Sequence, residues 1–179
     1  NTIAGVAMLG GRGAFIGRVT DDQLGRIFTH DIRAVGVHYE TPPADKGRPT
    51  GQCLVIVTPD AQRTMSTYLG SCQELDETDI DEALVRASAT TFFEAYLWDH
   101  PPSIRALRKA MAIARDAGRK VAMTLSDVFC VEGHRDEFHE LLANGVDVVL
   151  ANEAEAKSLF ETEDLAVAIE GLAATGKLT

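Results

Sequence analysis

The chain has 179 residues, of which 45% are hydrophobic and 25% charged, an ordinary composition for one domain with a sizeable core. Its 27 Asp and Glu against 17 Lys and Arg leave a formal charge of −10, which excludes a phosphate backbone or an anionic membrane as the main partner and favours a small molecule. Cys53, Cys72 and Cys130 are scattered, so neither a disulfide framework nor a zinc ribbon is indicated, and no apolar run nears the roughly 18 residues of a membrane span. A reducing cytoplasm is the location these features suggest.

In chain order, Asn1 is placed as the cap of a small-residue helix that runs to Leu9 and closes at Gly10. Ala14 to Val19 reads as a strand, and Asp22 precedes a helix with Leu24, Ile27, Phe28 and Ile32 on one face. Strand-like segments follow at 37–40, 50–58 and 63–69, separated by the polar loop 42–49 and the turn 59–62. In the middle segment both alternating sets are half apolar, so both faces are expected to be covered. The acidic run Glu74 to Glu82 reads as a solvated loop and helix start.

The second half alternates regularly: strand 91–97, helix 103–117, strand 120–125, helix 134–143, strand 146–151, then helices from Glu153 and Asp164. Spacing near about 30 residues marks βαβ units and a parallel sheet. Gly176 to Thr179 are expected to lead into a further strand, and since Asn1 is not an initiator methionine the chain is expected to be partial. Polar residues gather at the strand ends: Glu94 and Asp99, Ser126 and Asp127, Asn152 and Glu155. In open α/β sheets the crevice beyond the carboxyl ends of the strands is the usual ligand site. Asn152 is also a natural helix cap, a role that satisfies free backbone donors.

Several tempting motifs fail. Gly171 to Lys177 has P-loop spacing, but Leu178 stands where Ser or Thr must bind magnesium, and a helix precedes it. Gly11 to Gly17 brushes against a dinucleotide fingerprint with the element order reversed. The histidines, His30, His38, His100, His134 and His139, show no i, i+4 pairing and read as surface or capping residues. Ser126 lacks the glycines of a nucleophile elbow.

Taken in order, Asn1 to Gly10, the turn Thr20-Asp21-Asp22-Gln23-Leu24-Gly25, Thr58-Pro59-Asp60 with Arg63-Thr64-Met65, Glu94-Ala95-Tyr96-Leu97-Trp98-Asp99 and Asn152-Glu153-Ala154-Glu155 resemble the ribokinase-like (PfkB) family of carbohydrate and nucleoside kinases. Thr20 and Ala95 stand where that family usually has glycine. The resemblance implies an α/β fold, a three-layer parallel sheet flanked by helices with a small β-sheet lid. It implies one domain over 1–179, incomplete at both ends, with the lid at about 37–69. It further implies transfer of the γ-phosphoryl group of ATP, with Mg2+, to a hydroxyl of a sugar or nucleoside. Asn152 and Glu155 would then organise the magnesium and phosphate region, Glu155 through water, because magnesium dehydrates reluctantly. Asn1 would bind the acceptor, with Glu94 and Arg63 as weaker candidates for the same role. The family's Gly-Ala-Gly-Asp, which holds the catalytic base, is absent from these residues, so the segment alone is expected to be inactive. A non-catalytic sugar-binding or assembly module is the alternative. A lid with one open apolar face implies a homodimer.

Overall fold

The computed structural model describes Asn1–Thr175, and the expected lead into a further strand at Gly176 to Thr179 lies outside the described residues. The chain forms two compact units, Asn1–Asp79 and a second from Ile80 onward.

In the first unit, α1 (Thr2–Met8) starts at Asn1, but the Asn1 side chain makes no capping bond. Gly10, at φ 85°, donates to Ala7 O and Gly11 donates to Val6 O, which closes the last turn with a left-handed glycine. The expected strand at 14–19 shrinks to isolated parallel bridges, Ala14 to His38 and Thr20 to Ala44, and the segment 37–40 contributes only the first of these. Apolar sequence alone does not make a strand, because a ladder requires a partner over several residues.

Helix α2 (Gln23–Ala34) is capped by Asp22, whose Oδ1 accepts from Gly25 N at 2.8 Å while Oδ2 accepts from Thr50 N at 2.8 Å. These bonds hold the Asp22 carboxyl below its ordinary value, the Thr50 amide contributing most. The helix lies against the turn so closely that a Cβ on Gly25 would come 1.9 Å from Thr20 O. Of its expected apolar face, Phe28 and Ile32 are half-buried while Leu24 and Ile27 stay exposed. Phe28 meets Phe15 and Tyr39 with ring centroids 5.6–5.8 Å apart, and Tyr39 Oη donates to Gly17 O. The acidic run is less solvated than expected, since the Asp79 side chain, 6% exposed, pairs with Arg18 at 2.9 Å.

Strands β1 (Gln52–Val57) and β2 (Arg63–Tyr68) form an antiparallel ribbon with Gln52 opposite Tyr68 and Val57 opposite Arg63. Every residue of both strands is exposed. Among the described residues, both faces of the ribbon are therefore open rather than covered as expected.

The second unit opens with α3 (Glu82–Ala87), capped by Asp81, and then builds a parallel sheet in the order β3-β4-β5. Strand β3 (Thr90–Glu94) is shorter than expected because Ala95–Asp99 turn into a 3-10 helix. That turn drops Trp98 into the core, where it is 0% exposed and stacks on Phe93. Helix α4 (Pro101–Asp116) begins with prolines in its first turn, where the missing amide costs nothing. It leads to β4 (Lys120–Thr124), α5 (Val128–Asn144) and β5 (Val148–Leu150), and then α6 (Glu153–Leu159) and α7 (Leu165–Ala174). Helix α5 starts six residues before the expected 134, with Asp127 as its cap, and His134 breaks it with φ −136°, ψ 27°. The core gathers Val121, Met123, Leu125, Val131, Phe138 and Leu142, each at most 1% exposed. Burying side chains of this size stabilises by about 1.5–3 kcal/mol each. Gly171 lies inside α7, which is incompatible with a phosphate-cradling loop at that position.

Candidate functional site

The carboxyl ends of β3, β4 and β5 bring together the polar residues of the second unit. At β5, Asn152 Oδ1 accepts from Glu155 N at 2.9 Å, and Glu155 Oε2 accepts from Asn152 N at 3.1 Å, a reciprocal capping box. A third bond, from Asn152 Nδ2 to Glu155 Oε1 at 2.7 Å, aligns the two side chains. Asn152 itself is exposed, whereas Glu155 is 5% exposed and pairs with no cation among the described residues. A buried carboxylate held only by neutral donors retains a strong field and a spare lone pair on each oxygen.

Glu94 ends β3 and is exposed, and its carboxylate has no partner among the described residues. Next to it, Ala95 N donates to Ser126 Oγ at 2.9 Å and Tyr96 Oη donates to Ser126 O at 3.1 Å, which pins the 3-10 turn to the end of β4. Ser126 pays for this with a left-handed backbone, φ 69°, a conformation serine rarely adopts. Asp127, adjacent, accepts from Phe129 N at 3.2 Å at the start of α5. Tyr96 and Phe129 then stand as an exposed aromatic pair with ring centroids 5.9 Å apart, Phe129 being 55% exposed. The Tyr96 phenol is raised above 10.0, first by burial and then by the charges of Asp127, Cys130, Glu155 and Glu94. That single group senses acidic residues from the ends of all three strands.

Asn1 and Arg63, the other expected site residues, belong to the first unit. Asn1 is exposed at the head of α1, and Arg63 is exposed at the turn end of β2 with no partner among the described residues. Among the described residues, no group of three or more His, Cys, Asp or Glu could hold a metal ion.

Sequence reasoning missed the Tyr96–Phe129 pair, whose members are far apart in the chain and carry no motif. It also misread His134, which is neither a surface nor a capping residue. Its Nε2 lies 2.9 Å from Asp99 Oδ1 and its Nδ1 lies 2.8 Å from Glu137 Oε2. Glu137 at i+3 was the one available signal.

Residues 1–178 match the model described as pfkB family carbohydrate kinase. The chain belongs to this family. A solved adenosine kinase from Sinorhizobium meliloti is 54% identical with a TM-score of 0.95, over 98% of this chain and 54% of that one. A probable sugar kinase from Rhizobium etli is 49% identical with a TM-score of 0.95, over 98% and 53%. Among curated proteins, a fructokinase from Solanum tuberosum is 28% identical over 66% of this chain and 38% of its own length. The pfkB chain thus spans about half the length of the two solved structures and less of the fructokinase. The ribokinase-like α/β expectation stands on this agreement.

Proposed function

We propose that the protein to which this sequence belongs transfers the γ-phosphoryl group of ATP to a hydroxyl of a nucleoside or sugar, with both compact units forming parts of one ribokinase-like domain. The observation that carries this reading is the buried Glu155, locked by Asn152 at the carboxyl end of β5 in a chain matched from end to end by a kinase family. Phosphoryl transfer is mostly positioning and charge neutralisation, so it needs no P-loop.

The residues fit a magnesium reached through water. Glu155 supplies a buried charge that pairs with no cation among the described residues, while the absence of a multi-carboxylate cluster among them matches an ion that keeps its own hydration. When bound, Mg2+ with ATP would supply neutralisation of the phosphate charge. What this chain supplies is orientation: Asn152 fixes the Glu155 carboxylate, and Ser126 fixes the turn that carries Tyr96.

Among acceptors, a nucleoside is favoured over a simple sugar. The exposed Tyr96 and Phe129 rings offer flat apolar surface beside Glu94, suited to a base and a hydroxyl respectively, and the similarity to an adenosine kinase points the same way. Asn1 and Arg63 are proposed as further acceptor contacts. The open apolar ribbon, with Leu54 69% and Ile56 65% exposed, supports a homodimer through the lid. Among the described residues no helix is long and apolar enough to cross a membrane, and with the scattered cysteines Cys53, Cys72 and Cys130 forming no disulfide framework the cytoplasm is the proposed location.

Calorimetry against adenosine, ribose and fructose, with ADP release measured on the whole protein, tests the reading. Adenosine binding with ADP formation supports it. Binding without ADP formation favours the alternative, a non-catalytic binding or assembly module. A monomer at micromolar concentration by light scattering would remove the dimer.

A further inference from the structure

The turn Ala95–Asp99 carries Tyr96 and the first turns of α5 carry Phe129; Ser126 pins the turn beside the start of α5 and Phe138 meets Trp98 edge-on, and His134 adds an ionisable tie between the two segments. His134 reaches Asp99 through Nε2 and Glu137 through Nδ1, at 2.9 and 2.8 Å. Ionised carboxylates only accept, and a neutral imidazole has one N–H, so both contacts close together only in the imidazolium. His134 is also where α5 bends, its backbone lying outside the helical range. Beyond the bend the helix is anchored: Phe138, Leu141 and Leu142 are at most 4% exposed, and Arg135 Nε donates to Ser158 O at 3.2 Å. Before the bend, Cys130 and Val131 are at most 1% exposed, and Phe129 beside them is 55% exposed.

The geometry points to His134 as a positioning residue, a proton-dependent clamp that joins the 95–99 turn to the bend of α5 and so sets the spacing of the Tyr96 and Phe129 rings. Its importance for the acceptor rests on the nucleoside reading above; the clamp itself does not. With the proton in place, Asp99 and Glu137 are both held. Without it, a ring lone pair faces a carboxylate oxygen, that contact is lost, and the turn and the bend are no longer joined through His134, while Cys130 and Val131 stay in the core and the Phe129 ring gains freedom.

The groups around the imidazole come from two elements. The turn supplies Asp99, at 2.9 Å, α5 supplies Glu137, at 2.8 Å, and α5 also places the Phe138 ring 5.9 Å from the imidazole. Burial acts to lower the His134 pKa, but the hydrogen bonds and charges of Asp99 and Glu137 together outweigh it, so the value lies above 6.5. A raised histidine contributes its stability fully below the unfolded value and loses it as pH rises through the folded one. The clamp is therefore closed at low pH and opens as the pH rises through the raised folded-state value. Tyr96, raised above 10.0, and Cys130, pushed up to about 11 mainly by burial, keep their protons through this window.

The test is an NMR titration of the full chain from about pH 5 to about pH 9, following the His134 Cε1 proton and the Tyr96–Phe129 ring NOEs together. The expected result is a His134 midpoint above 6.5, with the NOEs weakening at that same midpoint. Asp99→Asn should lower the midpoint by about one unit, and the NOE change should move with it. His134→Asn should make the NOEs independent of pH. Ring NOEs that stay constant through the wild-type titration overturn the clamp, as does an NOE transition that stays in place in Asp99→Asn. Adenosine calorimetry on either side of the midpoint separates the two readings. Weaker binding above the midpoint supports both, whereas a ring response without adenosine binding at either pH upholds the clamp and overturns the nucleoside acceptor.

Discussion

The β1–β2 ribbon and the β3-β4-β5 sheet are both built from apolar strand sequence, yet they bury it to opposite extents. Leu54, Val55, Ile56 and Val57 are between 49% and 69% exposed, whereas Val121 and Met123 are at 0%. The connections explain the contrast. Parallel neighbours need a crossover of a dozen or more residues, and here α4 and α5 bring their own apolar faces back to the sheet. The ribbon closes through the short turn at Thr58–Gln62, where Gln62 O accepts from Thr58 N, and that turn brings nothing with which to cover it. Strand sequence specifies pairing; the connection specifies burial.

The largest effect should come from opening the covered region. Phe138→Ala removes a fully buried ring that meets Trp98 edge-on, and should cost about 3–5 kcal/mol in urea unfolding followed by Trp98 fluorescence. Ile56→Ala in the ribbon should cost no more than about 0.5 kcal/mol in a monomer. A large loss at Ile56 would break the comparison, because it would mean that the ribbon is covered in solution.

A glycine pair sharpens the same contrast within the first unit. Gly25→Ala forces a Cβ against Thr20 O and should destabilise by about 1–3 kcal/mol in thermal melts. Gly5→Ala, inside α1 with nothing within 4 Å, should instead stabilise by up to about 1 kcal/mol.

Asn152→Ala removes the α6 cap and should cost about 1 kcal/mol. Asn152→Asp keeps an acceptor for Glu155 N but replaces the Nδ2 donor with a second negative charge beside a buried carboxylate. It should be weaker than wild type at neutral pH and recover toward wild type as the medium is acidified, in urea titrations at each pH. Smallest of all for stability is a thiol probe. Cys53 on the exposed ribbon should react with a disulfide reagent in the native state, while buried Cys130, held protonated to about 11, should react only on unfolding.

Much of the second unit was legible because its elements are long and periodic. Helix α4 and strand β4 fell within two residues of the expected bounds, and Asn152 and Asp164 marked the starts of α6 and α7 as caps do. Segments 14–19 and 37–40 were misread because β-propensity describes a side chain, whereas a strand also needs a partner in register. Helix α5 was read as beginning at 134 because Gly133 and the bend at His134 interrupt its period, although an Asp that follows a strand, as Asp127 does, is more often a cap for the next helix than a ligand group.

The sequence by itself determined the alternation of strand and helix and the presence of Asn152 and Glu155 at a strand end, which follow from spacing along the chain, and the family, which follows from its motifs' resemblance and the match over residues 1–178. Only the tertiary structure decided that Glu155 is buried and pairs with no cation among the described residues, that Tyr96 and Phe129 form one exposed pair, and that His134 bridges Asp99 and Glu137. Local patterns record periodicity and capping, which act over a few residues. Burial, and contacts such as Asp99 with His134, are set when separate elements pack, and no spacing in the sequence records which side chains then meet.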